Sequence, residues 1–460
     1  MAYDRVIRNG IVYAGGGLIP LDIGIMGGQI AALASPGSIS GETEDDAAGR
    51  WVLPGFIDAH FHTRAPAHPE REDFASGTAT AAAGGVTVLL EMPISTPPAV
   101  NATVIASRRA AIERDAHIDV GLYLGAGSPS QEELDEAVAA GVIAFKGFLQ
   151  RLSGGREDLA GIAVEDDLHL LAVLRRVQRY RLPAVFHAEE EPLYRQLTTE
   201  LQAAGQHDGL AFSASRPDWV EAISISKLLA LAEALDVRVH IPHVTSSMAV
   251  DLIRNARRRG APVTAETCTH YLAFDRETLA RFGALAVCNP PFKSASDVAA
   301  LWEGVRDGTL DIVTSDHAPF LLEEKLASGD DIWQAPPGIP GGEILGPYMM
   351  SAAVEGRLPL SRVVDALARR PAEIFGLCTT KGAIAPGYDA DLVIYDPARP
   401  MTVDISTWQT KCRESAAIWD GMALAGTVVS TYSRGTLVFH EGQIRSQPGH
   451  GRFVAPYRPD

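Results

Sequence analysis

The chain has 460 residues, 46% of them hydrophobic, and 40 basic residues against 57 acidic ones give a net charge of −17. That length and apolar content exclude a disordered chain and suit one large domain with a smaller module beside it. The acidic balance, with no basic block, argues against a nucleic-acid or anionic-membrane surface and leaves a small molecule as the expected partner.

Four cysteines, Cys268, Cys288, Cys378 and Cys412, lack CxxC spacing, so neither a disulfide framework nor a cysteine-zinc cluster is indicated. The N-terminal MAYDRVIRNGIVYAGGG lacks a signal-peptide pattern, and no apolar run approaches the ~20 residues of a membrane span. A reduced, cytoplasmic protein is expected.

In chain order, YDRVIRNGIVY and LDIGIMGGQIAALA read as short strands punctuated by glycine. From residue 54 to 376 the pattern changes. Eight apolar runs alternate with helical stretches: GFIDAHFH, VTVLLEM, IDVGLYLG, VIAFKGF, PAVFHAE, VRVHIPHV, APVTAET and LDIVTSDH. Between them, SPSQEELDEAVAA places Ser130 and Glu133 at the spacing of a capping box, and DWVEAISISKLLALAEAL and MAVDLIRNARRR are amphipathic at helical period. Eight strand-helix repeats in about 320 residues are the arithmetic of an α/β (β/α)8 barrel of the TIM type. After residue 380, DADLVIYDP and TVVSTYSRGTLVFHEGQI return to strands. The expected organisation is therefore 1–53 as the N-terminal part of a small β-sandwich module, 54–376 as the barrel, and 377–460 as the C-terminal part of the same module and tail.

In a barrel of this kind the chemistry sits at the C-terminal ends of the strands. Alternate residues of a strand share a face, so His60 and His62 in GFIDAHFHTR point the same way and can share one metal. An HxH pair alone is equally consistent with two buried, hydrogen-bonded histidines. Its company changes the reading, because His187 closes the fifth apolar run, His243 the sixth and Asp316 the eighth. Lys146 ends the fourth, in VIAFKGFL. A buried ammonium there fits an ion pair with a barrel carboxylate; beside four histidines and an aspartate it also fits a lysine carbamate, an anionic ligand able to bridge two metal ions.

The ordered set His60, His62, Lys146, His187, His243 and Asp316 resembles the binuclear amidohydrolase superfamily, and within it the cyclic-amide hydrolases: allantoinase, dihydroorotase and hydantoinase (dihydropyrimidinase). The likeness runs along nearly the whole chain, through LPGFIDAHFH, GTATAAAGGVTVLLEMP, AFKGF, SASRPDWVEAISI, HIPHVTSS, ETCTHYL, CNPPFK, TSDHAPF and KGAIAPGYDADLVIYDP. The resemblance implies that His60, His62 and Asp316 bind one divalent ion, that His187 and His243 bind another, and that carboxylated Lys146 bridges them. Zinc suits the mixed nitrogen and oxygen donors, with manganese, iron and cobalt as alternatives. It further implies a bridging hydroxide that attacks a ring carbonyl, Asp316 as the proton carrier, and a homodimer or homotetramer.

The ring is read less directly. Arg64 in HFHTR matches the dihydroorotase HxHxR, where arginine holds a substrate carboxylate; the alternative is a pair with Glu70 or Glu72. Asn289 in CNPPFK matches that family too. Against it, MPIST carries Ile94 where a polar contact is expected, and Phe320 stands where a histidine is expected after DHAP. Hydantoinase is expected to carry a tyrosine soon after the lysine, and GFLQRL has none. EMPISTPPAV, SASRPDWVEAI and FGALAVCNPP favour an allantoinase-like ring, against the TRAPAHPERE that stands where allantoinase is expected to carry a Glu-Pro loop; hydantoin-type or other cyclic imide rings follow, and then dihydroorotate. Pro337 and Gly338, in QAPPGIPGGEILGPYMM, are candidates to read the ring amide through their backbone. His270 is taken as a packing residue or a support behind the ligands, and not as a ligand itself. A mononuclear deaminase and a non-catalytic scaffold are the rival classes; the first leaves Lys146 without a metal role, and the second is at odds with six retained ligand positions.

Overall fold

The computed structural model describes residues 2–152 and 156–457. The first five strands are β1 (Tyr3–Ala14), β2 (Gly17–Met26), β3 (Gln29–Ala34), β4 (Gly41–Asp46) and β5 (Trp51–Pro54). The eight apolar runs of the middle region then form β6 (Phe56–Phe61), β7 (Val86–Glu91), β8 (Asp119–Gly125), β9 (Ala144–Phe148), β10 (Ala184–His187), β11 (Val239–Ile241), β12 (Val263–Cys268) and β13 (Ile312–Thr314). Each pairs in parallel with the next, in sequence order. The ring closes just beyond the strands, where the His62 amide donates to the His317 carbonyl at 2.9 Å. Continuous burial along these strands follows from helices packing outside a parallel sheet.

The helical expectations have their counterparts in Gln131–Ala139, Asp218–Leu235 and Ser247–Arg258. Ser130 and Glu133 form the reciprocal capping box, a device that contributes about 1 kcal/mol. Residues of six barrel strands, among them Ile57, Val88, Tyr123, Ala144, Val185 and Ile312, pack in one cluster with Ile374 and Phe375 from the segment that leaves the barrel.

The C-terminal strands are β14 (Leu392–Asp396), β15 (Met401–Thr402), β16 (Ala423–Leu424), β17 (Thr427–Ser433), β18 (Thr436–His440) and β19 (Gln443–Ile444). Strands β14 and β17 to β19 join β1 to β5 in one nine-stranded sheet, in which β14 pairs antiparallel with β5 and so connects the two ends of the chain. The expected sandwich thus takes the form of one continuous hydrogen-bonded sheet with its own core, drawn from both ends and including Ile7, Ile23, Val52, Leu392 and Val429. A buried ion cluster fastens this sheet to the barrel. Lys381 contacts Asp119 at the start of β8 (2.6 Å), Asp389 (3.0 Å) and Asp391 (2.7 Å), and Arg434 also pairs with Asp119.

Candidate active site

The ends of β6 and β13 are tied together by Asp58. Its carboxylate accepts from the Ser315 amide at 3.1 Å and from the Ser315 hydroxyl, which sets Asp316 opposite the HxH pair. Asp316 Oδ1 lies 3.3 Å from His60 Nε2 and 3.4 Å from His62 Nε2. The histidines at the ends of β10 and β11 meet in the same way, with His187 Nδ1 3.0 Å from His243 Nε2. The two clusters adjoin, since the His60 and His243 ring centres are 5.4 Å apart. Lys146, expected to end the fourth strand, is the third of the five residues of β9 and is fully buried; its Nζ has no hydrogen-bond partner among the described residues and lies 5.2 Å from the Phe148 ring centre.

Three residues at this face have left-handed backbones without being glycine: Arg64 (φ 60°), His243 (φ 41°) and Asp316 (φ 43°). Each such conformation costs about 1–3 kcal/mol and persists only when its surroundings impose it. Here the imposed turns bring the side chains of His243 and Asp316 to the cavity wall.

The imidazoles are oriented by carboxylates behind them. Glu266 on β12 accepts from His60 Nδ1 at 2.6 Å and, through its other oxygen, from His240 Nε2 at 3.1 Å. Glu189 lies 2.9 Å from His187 Nε2. Each contact occupies the nitrogen that faces away from the cluster and leaves the inward nitrogen as a lone-pair donor, the usual arrangement behind metal-binding histidines. Burial pulls His62 down to about 3, His243 well below its ordinary value and His187 downward, so these rings are neutral. Burial alone would push Asp316 up, but the imidazoles, His60 first, hold it well below the usual carboxylate range. Burial also brings the Lys146 ammonium down to about 8, against the pull of Glu266 and Asp316.

Neutral histidines, an ionised carboxylate and a lysine without a partner are chemically suited to divalent cations. The orphaned Lys146 Nζ and the unpartnered His62 Nδ1 are buried polar atoms of the kind that native proteins rarely leave unsatisfied. His60, His62 and Asp316 stand close enough together to hold one ion, as do Cys268, His270 and Asp316. His270, read from sequence as packing, therefore also lines the cavity.

The cavity above this cluster is lined by Arg64, Ile94, Asn289, Pro337 and Gly338 among others. Arg64 does not pair with either acid that the sequence offered. Glu70 contacts His68 at 3.0 Å, and Glu72 contacts His317 at 3.3 Å and the Thr410 hydroxyl. The Arg64 guanidinium instead lies 4.8 Å from the Phe320 ring centre, its Nε without a partner among the described residues. Burial lowers its pKa to about 10, which leaves it cationic. The Asn289 Oδ1 is likewise buried and unpartnered. The Gly338 amide, by contrast, is committed to the Val287 carbonyl at 2.9 Å, so only the carbonyls of Pro337 and Gly338 are left to face a ligand. Gly338 is required there: with φ at 155°, an added Cβ would sit 2.4 Å from the Ala318 carbonyl oxygen.

Glu266, Glu189, Asp58 and His240 were not singled out by the sequence pattern. ETCTHYL and FHAE contained both glutamates, but the spacing that marks a ligand pair does not mark the carboxylate behind it.

Residues 51–438 match the family described as the Amidohydrolase family. An allantoinase from Rubrobacter xylanophilus is 36% identical over 99% of this chain and 98% of its own length. An L-hydantoinase from Paenarthrobacter aurescens is 30% identical over 98% of each chain. The solved L-hydantoinase (dihydropyrimidinase) from Arthrobacter aurescens has a TM-score of 0.93 at 30% identity, covering 98% of this chain and 100% of that one. With the barrel, the strand-end cluster and these relatives in agreement, the chain belongs to the amidohydrolase family.

Proposed function

We propose that this chain hydrolyses the C–N bond of a cyclic amide, with an allantoin-type ureide as the first candidate ring. The observation that carries the reading is the convergence of four histidines and Asp316 on one cavity from the ends of β6, β10, β11 and β13, with Lys146 buried within β9 close to His187. His60, His62 and Asp316 would hold one divalent ion, and His187 and His243 a second. Lys146, with its neutral amine favoured by burial, would add to carbon dioxide to form the carbamate that links them. Such ions, zinc being the best fit to these donors, lower the pKa of water and polarise a carbonyl.

Asp316, ionised and facing both His60 and His62, takes the proton of the attacking water and delivers it to the departing ring nitrogen. The product is a ring-opened carbamoyl or amide acid. Glu266 and Glu189 keep the imidazole donors turned inward.

Hydantoin-type rings are the second reading, favoured by the close structural match to the L-hydantoinase. Arg64 supports a carboxylate-bearing ring such as dihydroorotate, because it is a cation at the cavity wall that pairs with no carboxylate among the described residues. Ile94 and Phe320 weigh against that ring, since both occupy places where polar contacts would be needed. The boundaries at 53 and 376, read from the strand pattern, a cytoplasmic setting, read from the cysteine usage, and a homodimer or homotetramer, implied by the resemblance, belong to the same reading.

The test is a panel of allantoin, hydantoins, dihydrouracil, dihydroorotate and simple cyclic imides, assayed alongside metal analysis and intact mass. Turnover of one ring class with about two ions per chain and a carbon dioxide adduct that Lys146→Ala abolishes is the expected result. Near one ion per chain and no adduct would reject the bridged site and favour a deaminase.

A further inference from the structure

Two separate loops carry the candidate substrate contacts, and a single buried side chain joins them. Cys288 and Asn289 lie in one loop, Pro337 and Gly338 in the other, and all four line the cavity. Lys325, in the short helix Leu322–Leu326, has no exposed surface. Its Nζ donates to the Val287 carbonyl at 3.0 Å and to the Pro336 carbonyl at 2.8 Å. These carbonyls belong to the residues immediately before Cys288 and Pro337. The Gly338 amide adds one direct bond between the loops, again to Val287. Lys325 makes no ion pair among the described residues, and its Nζ is 6.0 Å from the same Phe320 ring that Arg64 faces.

Burial brings the Lys325 amine down to about 7, and a buried amine answered only by carbonyls is an expensive way to fill space where a leucine or methionine would pack at lower cost. What the amine adds is directional: two donors that fix the separation of two backbones. We propose that Lys325 is a positioning residue for substrate binding, holding the 287–289 and 336–338 loops at the spacing that a ring must match. It touches neither substrate nor metal cluster. Its effect falls on binding and ring selectivity, with the strand-end donors unaltered. This inference rests on the reading of these two loops as the substrate-facing wall.

The experiment compares wild-type protein with Lys325→Met, which keeps length and removes both donors, and Lys325→Gln, which restores one donor as an amide. On the best ring of the panel, KM should rise about tenfold or more in Lys325→Met and by less in Lys325→Gln, with kcat within about threefold. Metal content should equal that of wild type. Hydrogen–deuterium exchange should speed up at 286–290 and 335–340 and stay unchanged at β6 and β13. Unchanged KM and exchange, or parallel losses of kcat, metal and global protection in both variants, would overturn the proposal. The exchange readout needs no substrate, so it still judges Lys325 if no cyclic amide is turned over; that second failure would count against the functional reading. If Lys325→Met does not fold, Lys325→Gln alone decides, on the same split between KM and kcat.

Discussion

The floor and the wall of the cavity are built on different rules. The floor is made of strand ends, where His60 and His187 each have a carboxylate behind them and Asp58 fastens the last strand to the first. The wall is made of loops, where Arg64 and Asn289 present polar atoms with no protein partner and two segments are spaced by one lysine. Fixed donors preserve a reaction, whereas unsatisfied donors and acceptors on adjustable loops choose what enters. That division suits a family in which relatives similar to this chain over nearly its whole length are named for different rings.

The contrast can be broken at the floor first. Asp316→Asn should retain bound metal and lose about a thousandfold in kcat, the range expected when a proton carrier is removed; activity close to wild type would exclude Asp316 from proton transfer. Glu266→Gln should act less severely, weakening metal affinity by about 10–100-fold through His60, measured by competition with a chelator. Affinity equal to wild type would mean that the carboxylate only fills space.

At the wall, Arg64→Met should raise KM for carboxylate-bearing rings by about tenfold and leave neutral rings nearly unaffected. Equal effects on both classes would remove the anion-anchor role. The three results together place the boundary between residues that set the chemistry and residues that set the ring.

Much of the floor was legible in the sequence because its donors are side chains at strand ends, and strand ends follow from apolar runs of regular length. His187 ends its strand, His62, His243 and Asp316 lie within two residues beyond theirs, and His60 and Lys146 lie inside theirs, so one topological expectation singled out all six as candidates. The carboxylates behind them were not legible. Glu266 reaches His60 from a strand 206 residues away in sequence, and no spacing rule connects the two.

The wall was harder still, because its partners are backbone atoms without a letter. Nothing in QAPPGIPGG says that the Gly338 amide is spent on Val287, or that Lys325 bonds Pro336. The identity of the Arg64 partner was open for a similar reason: Glu70 and Glu72 were within reach along the chain, but the fold gives them to His68, His317 and Thr410. In the module, the alternating pattern announced strands at both ends without revealing that β5 and β14 would join them into one sheet.

The left-handed backbones of His243 and Asp316 have a consequence for the history of this scaffold. Each holds about 1–3 kcal/mol of conformational energy that glycine at the same position would release. The most durable sequence for this backbone is therefore not the active one. Drift towards thermal robustness would erode the catalytic face first, and selection for turnover must continually oppose that drift.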